Sequence, residues 1–371
     1  MNIGTHAPAR RPPAKKRRQT RVHPYYSYNK ILSVNAMFNF IVGGRGLGKT
    51  YGAQKLAIKK ALRTGDQFMY VRRYKEELKA AKDTFFAAVQ NEFPEWEFRV
   101  NGPRAEATEY IEQEPDETAA QFAKRKQQRQ WQTIGFFQAL SVAQQMKSTA
   151  YPDVTLIIFD EFIIETGTNV SYLRDEVNAF LNLFNTVDRT QDKTRALFLA
   201  NSVSIMNPYF IYWEIWPDKL PEFSTMKNGD IALHFPTSKA FATSVYETRF
   251  GKFIAGTEYA NYAVGNVFRD NGEALIAQKT KDARYNYTLE TKGGVFSVWR
   301  DPFRTMTYIL DRRVGNEQFY TMLASRMAEG KQVVTFNEPV LAILRRDFNR
   351  GLVMFDKPST RNAFVPIFER R

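Results

Sequence analysis

The chain contains no cysteine, which excludes disulfides, zinc ribbons and thiol nucleophiles and fits a reducing compartment. No apolar run approaches the ~18 residues that a membrane span requires, and no signal-like apolar stretch follows the start. A soluble, intracellular protein without a membrane partner is therefore expected. Acids are missing from residues 1–23, while Arg10, Arg11, Lys15, Lys16, Arg17, Arg18 and Arg21 all fall there. With almost nothing to bury, this stretch is expected to be a disordered basic tail. No internal repeat is visible. What the sequence does have is enough apolar material for a sizeable core: 43% of 371 residues are apolar and 14% aromatic. That length suits two domains. The formal charge of +14 is concentrated in the tail and the C-terminal part, where a polyanion would be drawn.

Short apolar runs at 37–42, 67–71, 155–159, 196–200 and 231–235 read as buried strands, and 50–62, 76–91 and 176–187 read as helices. Their alternation predicts an α/β domain with a mainly parallel sheet over residues 25–240. Residues 104–132 run from acidic to basic and are expected to form a solvated helical insertion on its rim. The aromatic stretch 207–223 is expected to be buried, with partner docking as the alternative. Residues 241–262 are read as a linker. Beyond it, 263–371 changes texture: strands at 284–291 and 294–299 and a helix near 318–328 predict a smaller α+β domain.

Gly43, Gly44, Arg45, Gly46, Leu47, Gly48, Lys49 and Thr50 match the phosphate-binding loop G-x-x-x-x-G-K-[ST], placed between a strand and a helix as the motif requires. The glycines let backbone N–H groups point at phosphate oxygens, and the helix adds its positive end. Lys49 is expected on the β and γ phosphates of ATP, and the Thr50 hydroxyl on Mg²⁺. The second half of such a site is an apolar strand ending in an acid. Residues 156–159 lead into Asp160, placed to hold the Mg²⁺, and Glu161, placed to deprotonate an attacking water. Asn201 ends another strand, where its amide would sense the γ phosphate or simply cap the strand. Arg189 follows the 176–187 helix, either as an arginine finger given to a neighbouring subunit or as a solvated helix-end arginine.

With these motifs the chain resembles the DNA-packaging ATPase, or DNA encapsidation protein, of small protein-primed podophages of the phi-29 type. The likeness is carried by residues 38–50; by Tyr70, Val71, Arg72, Arg73 and Tyr74; by 150–152 running into 158–162; by Glu176, Val177 and 181–183; by Asn201 with 207–210; and by 248–251 with 256–259. It covers most of 25–260 and weakens after about residue 265. The resemblance implies an additional-strand, conserved-glutamate (ASCE) P-loop ATPase. Such a protein forms a ring, pentameric in expectation, on the capsid portal and threads double-stranded DNA into a procapsid. A packaging RNA is a further candidate partner. The setting would be the host cytoplasm, docked transiently on the procapsid and absent from the mature virion. By position Arg189 matches the trans-acting arginine, and Lys147 a second basic residue of the subunit interface. The C-terminal domain would be a degenerate RNase H-like nuclease fold that binds nucleic acid or the portal. Asp301 and Asp311 are too few for a two-metal carboxylate cluster, so no nuclease activity is expected.

Two other readings stay open on sequence grounds. A helicase or recombinase would grip single strands on aromatic platforms and unwind. A nucleotide-gated portal adaptor would bind ATP without significant turnover, and Glu161 argues against it.

Overall fold

The computed structural model describes residues 25–146, 149–165, 170–173, 175–203, 207–217, 220–266, 275–314, 318–329, 332–335, 338–350 and 352–369. The basic tail and Lys147 lie outside the described residues. In chain order the elements of the first unit are α1 (Asn29–Leu32), β1 (Phe38–Gly43), α2 (Lys49–Thr64), β2 (Gln67–Arg72), α3 (Lys75–Thr84), β3 (Trp96–Asn101), β4 (Arg104–Glu109), α4 (Ala119–Gln128), β5 (Gln132–Ala139), β6 (Val154–Asp160), α5 (Glu176–Asp188), β7 (Arg195–Asn201), α6 (Pro208–Trp213), β8 (Phe223–Met226) and β9 (Ile231–His234). The nine strands form one sheet in the order β3-β4-β5-β2-β6-β7-β1-β9-β8. The six from β5 to β9 in that order run parallel, and antiparallel strands close both edges.

The central strands are continuous apolar runs because both sheet faces are covered. β1 is buried along its whole length and β6 nearly so. Beneath them α5 and α6 pack an aromatic layer in which Phe40 stacks on Phe198 at 4.3 Å and Phe159 on Phe180 at 5.7 Å. The stretch 207–223 joins this layer through buried Tyr209, Phe210 and Trp213, while Tyr212 stays on the surface.

Residues 104–132 correct one expectation. They begin as β4, paired to β3 and β5, and only Ala119–Gln128 is helical. Here charge did not signal a solvated helix face. Glu106 is a buried cross-strand partner whose Oε2 accepts from Arg99 Nε at 2.7 Å, and such pairs stabilise a hairpin.

Residues 241–262, read as a linker, fold as three short helices, α7 (Lys239–Tyr246), α8 (Arg249–Ile254) and α9 (Glu258–Ala263). Phe241, Ile254 and Ala260 join the main core. A second sheet follows, built from β10 (Arg284–Thr291), β11 (Gly294–Asp301), β12 (Met306–Leu310), β13 (Phe319–Thr321), β14 (Gln332–Val333) and β15 (Val353–Phe355), with α10 (Pro339–Asn349) and α11 (Pro358–Phe364). Its order is β14-β13-β10-β11-β12-β15. The helix expected near 318–328 is instead β13, laid parallel to β10, and a 3-10 turn over Ala324–Glu329. Phe319, Tyr320 and Thr321 favour a pleated surface over a helix, and pairing with β10 satisfies their backbone. The second core includes Ile211 of α6, and Trp216 packs against it.

Candidate nucleotide site

The phosphate loop leaves the C-terminal end of β1, the edge of a parallel sheet where ligands bind. Gly46 and Gly48 take φ of 85° and 79°, a conformation that glycine alone adopts freely. Lys49 opens α2, a helix of 16 residues, and its buried Nζ donates to the carbonyls of Gly43 at 2.8 Å and Gly44 at 2.9 Å. Burial pushes its ammonium down to about 8, opposed by Asp160. The loop is braced from the α9 side, where Arg45 N donates to the Ala263 carbonyl at 2.7 Å.

β7 lies between β1 and β6, the strand insertion that defines the ASCE arrangement and carries the acid strand alongside the loop. The Thr50 hydroxyl is 3.1 Å from both oxygens of Asp160. A hydroxyl and a carboxylate converging at one point are hard oxygen donors that suit Mg²⁺, which keeps several other positions for water and phosphate. Glu161 follows in a left-handed turn, φ 56°, which swings its carboxylate into the cleft. Its side chain is 60% exposed, yet protein crowds the carboxyl's inner side. That burial raises its pKa; Arg72 opposes, and Asp160 and Glu165 add to the rise.

At the end of β7, Asn201 bridges two charged groups: its Oδ1 accepts from Lys49 Nζ and its Nδ2 donates to Glu165 Oε1, both at 3.2 Å. Glu165 also lies 3.4 Å from Arg45. Arg189, by contrast, does not meet this cluster. It caps α5 in the left-handed region at φ 48°, exposed, with Nη2 3.4 Å from the Thr149 carbonyl.

Four groups in the site were not anticipated from sequence as site residues. Tyr70 OH donates to Asp160 Oδ2 at 2.7 Å. Arg72 pairs with Glu161 and lies 3.6 Å from Asp160. Arg73, only 2% exposed, makes a two-pronged bond to Glu176 (2.7 and 2.8 Å) and donates to the carbonyls of Phe162 at 2.7 Å and Glu161 at 3.2 Å. Glu165 is the fourth. For Tyr70, Arg72 and Arg73 the available signal was the polar end of β2, but using it requires knowing that β2 adjoins β6, with Val71 opposite Phe159. Glu165, beyond β6, carried no such signal.

Over residues 22–371 the chain matches the model of the podovirus DNA encapsidation protein (Gp16). It belongs to that family. This family member is 33% identical over 349 residues to the DNA packaging protein of Bacillus phage phi29, covering 93% of this chain and 97% of that one. It is 34% identical over 343 residues to the DNA packaging protein of Bacillus phage B103, covering 92% and 99%. Among solved structures, a chain of the bacteriophage Phi-29 viral genome packaging motor assembly superposes with a TM-score of 0.58 at 32% identity, covering 91% of this chain and 97% of that one. The encapsidation family model thus spans both sheets, and the phosphate loop and acid strand stand within it.

Proposed function

We propose that this chain is the ATP-hydrolysing subunit of a motor that drives double-stranded viral DNA through the capsid portal into a procapsid. The observation that carries the reading is the meeting of Thr50, Asp160 and Glu161 beside the phosphate loop, in a family whose relatives are DNA packaging proteins. Bound between Thr50 and Asp160, Mg²⁺ would neutralise charge on the β and γ phosphates. Lys49 binds those same phosphates. Glu161 takes the proton of the attacking water, and a carboxylate pKa raised above the usual range strengthens it as a base near neutral pH. Arg72 competes for that carboxylate, so the strength of the pair sets how available Glu161 is to water. Asn201, held between Lys49 and Glu165, is placed to register the γ phosphate. Arg189 serves the site of the next subunit in a homo-oligomeric ring, pentameric by family likeness, and the same likeness assigns Lys147 a role at that interface.

The functional division takes 25–240, with the helices of 241–262 packed on its core, as the ATPase unit and the second sheet of 263–371 as a nucleic-acid or portal-binding unit. In the second sheet three antiparallel strands follow one another, and two more lie parallel beside the first. This order supports a degenerate RNase H-like fold. Asp301 is engaged structurally: its carboxylate accepts from Thr280 and from the Phe303 and Arg304 backbone, contacts that, with Thr280 foremost, hold it down at about 2. Asp311 pairs with Lys357 at 2.9 Å. Trp299, with Lys279 Nζ 4.5 Å and Arg312 5.9 Å from its ring, supports contact with nucleic acid. A packaging RNA is a further partner consistent with this surface. The protein acts in the host cytoplasm, transiently on the procapsid.

Steady-state phosphate release with and without double-stranded DNA tests the reading. DNA is expected to stimulate turnover, and Glu161→Gln to bind ATP normally while losing at least about a hundredfold in rate. Turnover indifferent to both DNA and Glu161→Gln would overturn it.

A further inference from the structure

The cleft holds an aromatic pair that the hydrolytic chemistry does not use. A nucleotide whose phosphates rest on the loop and the first turn of α2 must send its nucleoside end out past residues 50–52. Along this path run residues 25–28. Tyr26 N donates to the Leu47 carbonyl at 2.9 Å, and the Tyr28 hydroxyl donates to the Lys49 carbonyl at 2.6 Å. Tyr26 also bonds His234 Nδ1 at 2.8 Å. Both tyrosines are buried, at 8% and 5% exposure, so they fix the segment against the loop. Contact is close enough that a side chain at Gly52 would meet the Tyr28 ring at 3.0 Å.

Tyr25, one residue before these anchors, is 53% exposed. Its ring lies against Gly48 and 5.1 Å from Tyr51, tilted by 41°. Tyr51 is the second residue after Lys49 and is itself oriented: its hydroxyl bonds Glu92, which Lys55 holds at 2.5 Å. Two anchored rings therefore present π surface where the nucleoside emerges.

We infer that Tyr25 and Tyr51 form the platform on which the base of the bound nucleotide stacks. The inference rests on the reading of the loop as an ATP site and adds a base subsite to it. Stacking accounts for an exposed aromatic residue held by two buried ones, because the energetic return of the ring comes only when a flat partner covers it. The subsite recognises the base and leaves the phosphates to the loop.

Equilibrium binding of ATP and of inorganic tripolyphosphate, with Mg²⁺, separates the two. Tyr25→Ala is expected to weaken ATP roughly tenfold while leaving tripolyphosphate unchanged. Tyr25→Phe and Tyr25→Trp are expected to keep the wild-type ratio. If Tyr25→Ala weakens both ligands alike, Tyr25 only props the Gly48 turn and the platform is wrong. Unchanged or tighter ATP binding would also overturn it. Wild-type protein that binds neither ligand would remove the ATP reading itself, and the platform with it.

Discussion

Lys49 sits among the carbonyls of its own loop, and burial there holds its ammonium near 8, well below an ordinary lysine at 10.5. In the free protein, rising pH therefore neutralises this side chain early, whereas phosphates laid against it favour the charged form. ATP binding should consequently take up a proton between about pH 8 and pH 10.5, and affinity should fall by at most about tenfold per unit across that window. The stability of the free protein moves oppositely. The unfolded chain binds more protons over the same interval, so the folding penalty of this lysine is full below pH 8 and fades as pH rises. Calorimetric titration with ATP at pH 9, in two buffers of different ionisation enthalpy, measures the proton count directly. Uptake approaching one proton is expected, and none would mean that the lysine stays charged without ligand.

At the scale of elements, the turn after β6 is held by one buried ion pair. Arg73, just past β2, reaches the carbonyls of Glu161 and Phe162 while gripping Glu176 at the start of α5. Glu176 also accepts from Leu173 N at 2.9 Å. Arg73→Ala would leave that carboxylate buried without its cation and should cost about 3–5 kcal/mol. Replacing both partners with apolar residues, as in Arg73→Met with Glu176→Leu, should recover much of that loss. Chemical denaturation of the three proteins checks the order. How much of this was legible differs by element. β1, α2, β6 and β7 could be placed because each carries a clear local pattern, an apolar run or a helical stripe, and its chemistry lies next to it in the chain. Arg72 and Arg73 could not be assigned, since their roles depend on β2 lying beside β6, a long-range pairing that no local pattern encodes. The β3–β4 hairpin was hidden for a related reason: Arg99 and Glu106 are partners across strands, but along the chain Glu106 looks like part of the charged run 104–132 and Arg99 stands before it. The stretch 241–262 looked like a connection because its three helices are six to eight residues long, too short for a clear period.

At the scale of the whole molecule, Arg189 and the phosphate loop lie at opposite ends of the sheet. The loop, Asp160 and Asn201 occupy the C-terminal ends of β1, β6 and β7. Arg189 precedes β7, where Asp188 accepts from the Thr194 backbone at 2.9 Å and Lys193 reaches the Pro152 carbonyl. The seven residues of β7 set the separation at about 20 Å. An arginine side chain cannot bridge that span, so any contact Arg189 makes with a triphosphate is with the site of another copy. A head-to-tail ring provides such contacts at every interface. Two variants test the proposed geometry: Glu161→Gln removes the proposed base of a subunit's own site, and Arg189→Ala removes the arginine proposed to serve its neighbour. Each alone should turn over poorly. Mixed at equal amounts, they should regain activity, because about a quarter of random interfaces then join an intact Glu161 to an intact Arg189. Phosphate release measured against mixing ratio should rise to a maximum near equal amounts. A flat line at the level of the inactive variants would place Arg189 outside the catalytic interface, leaving it a cap on the end of α5.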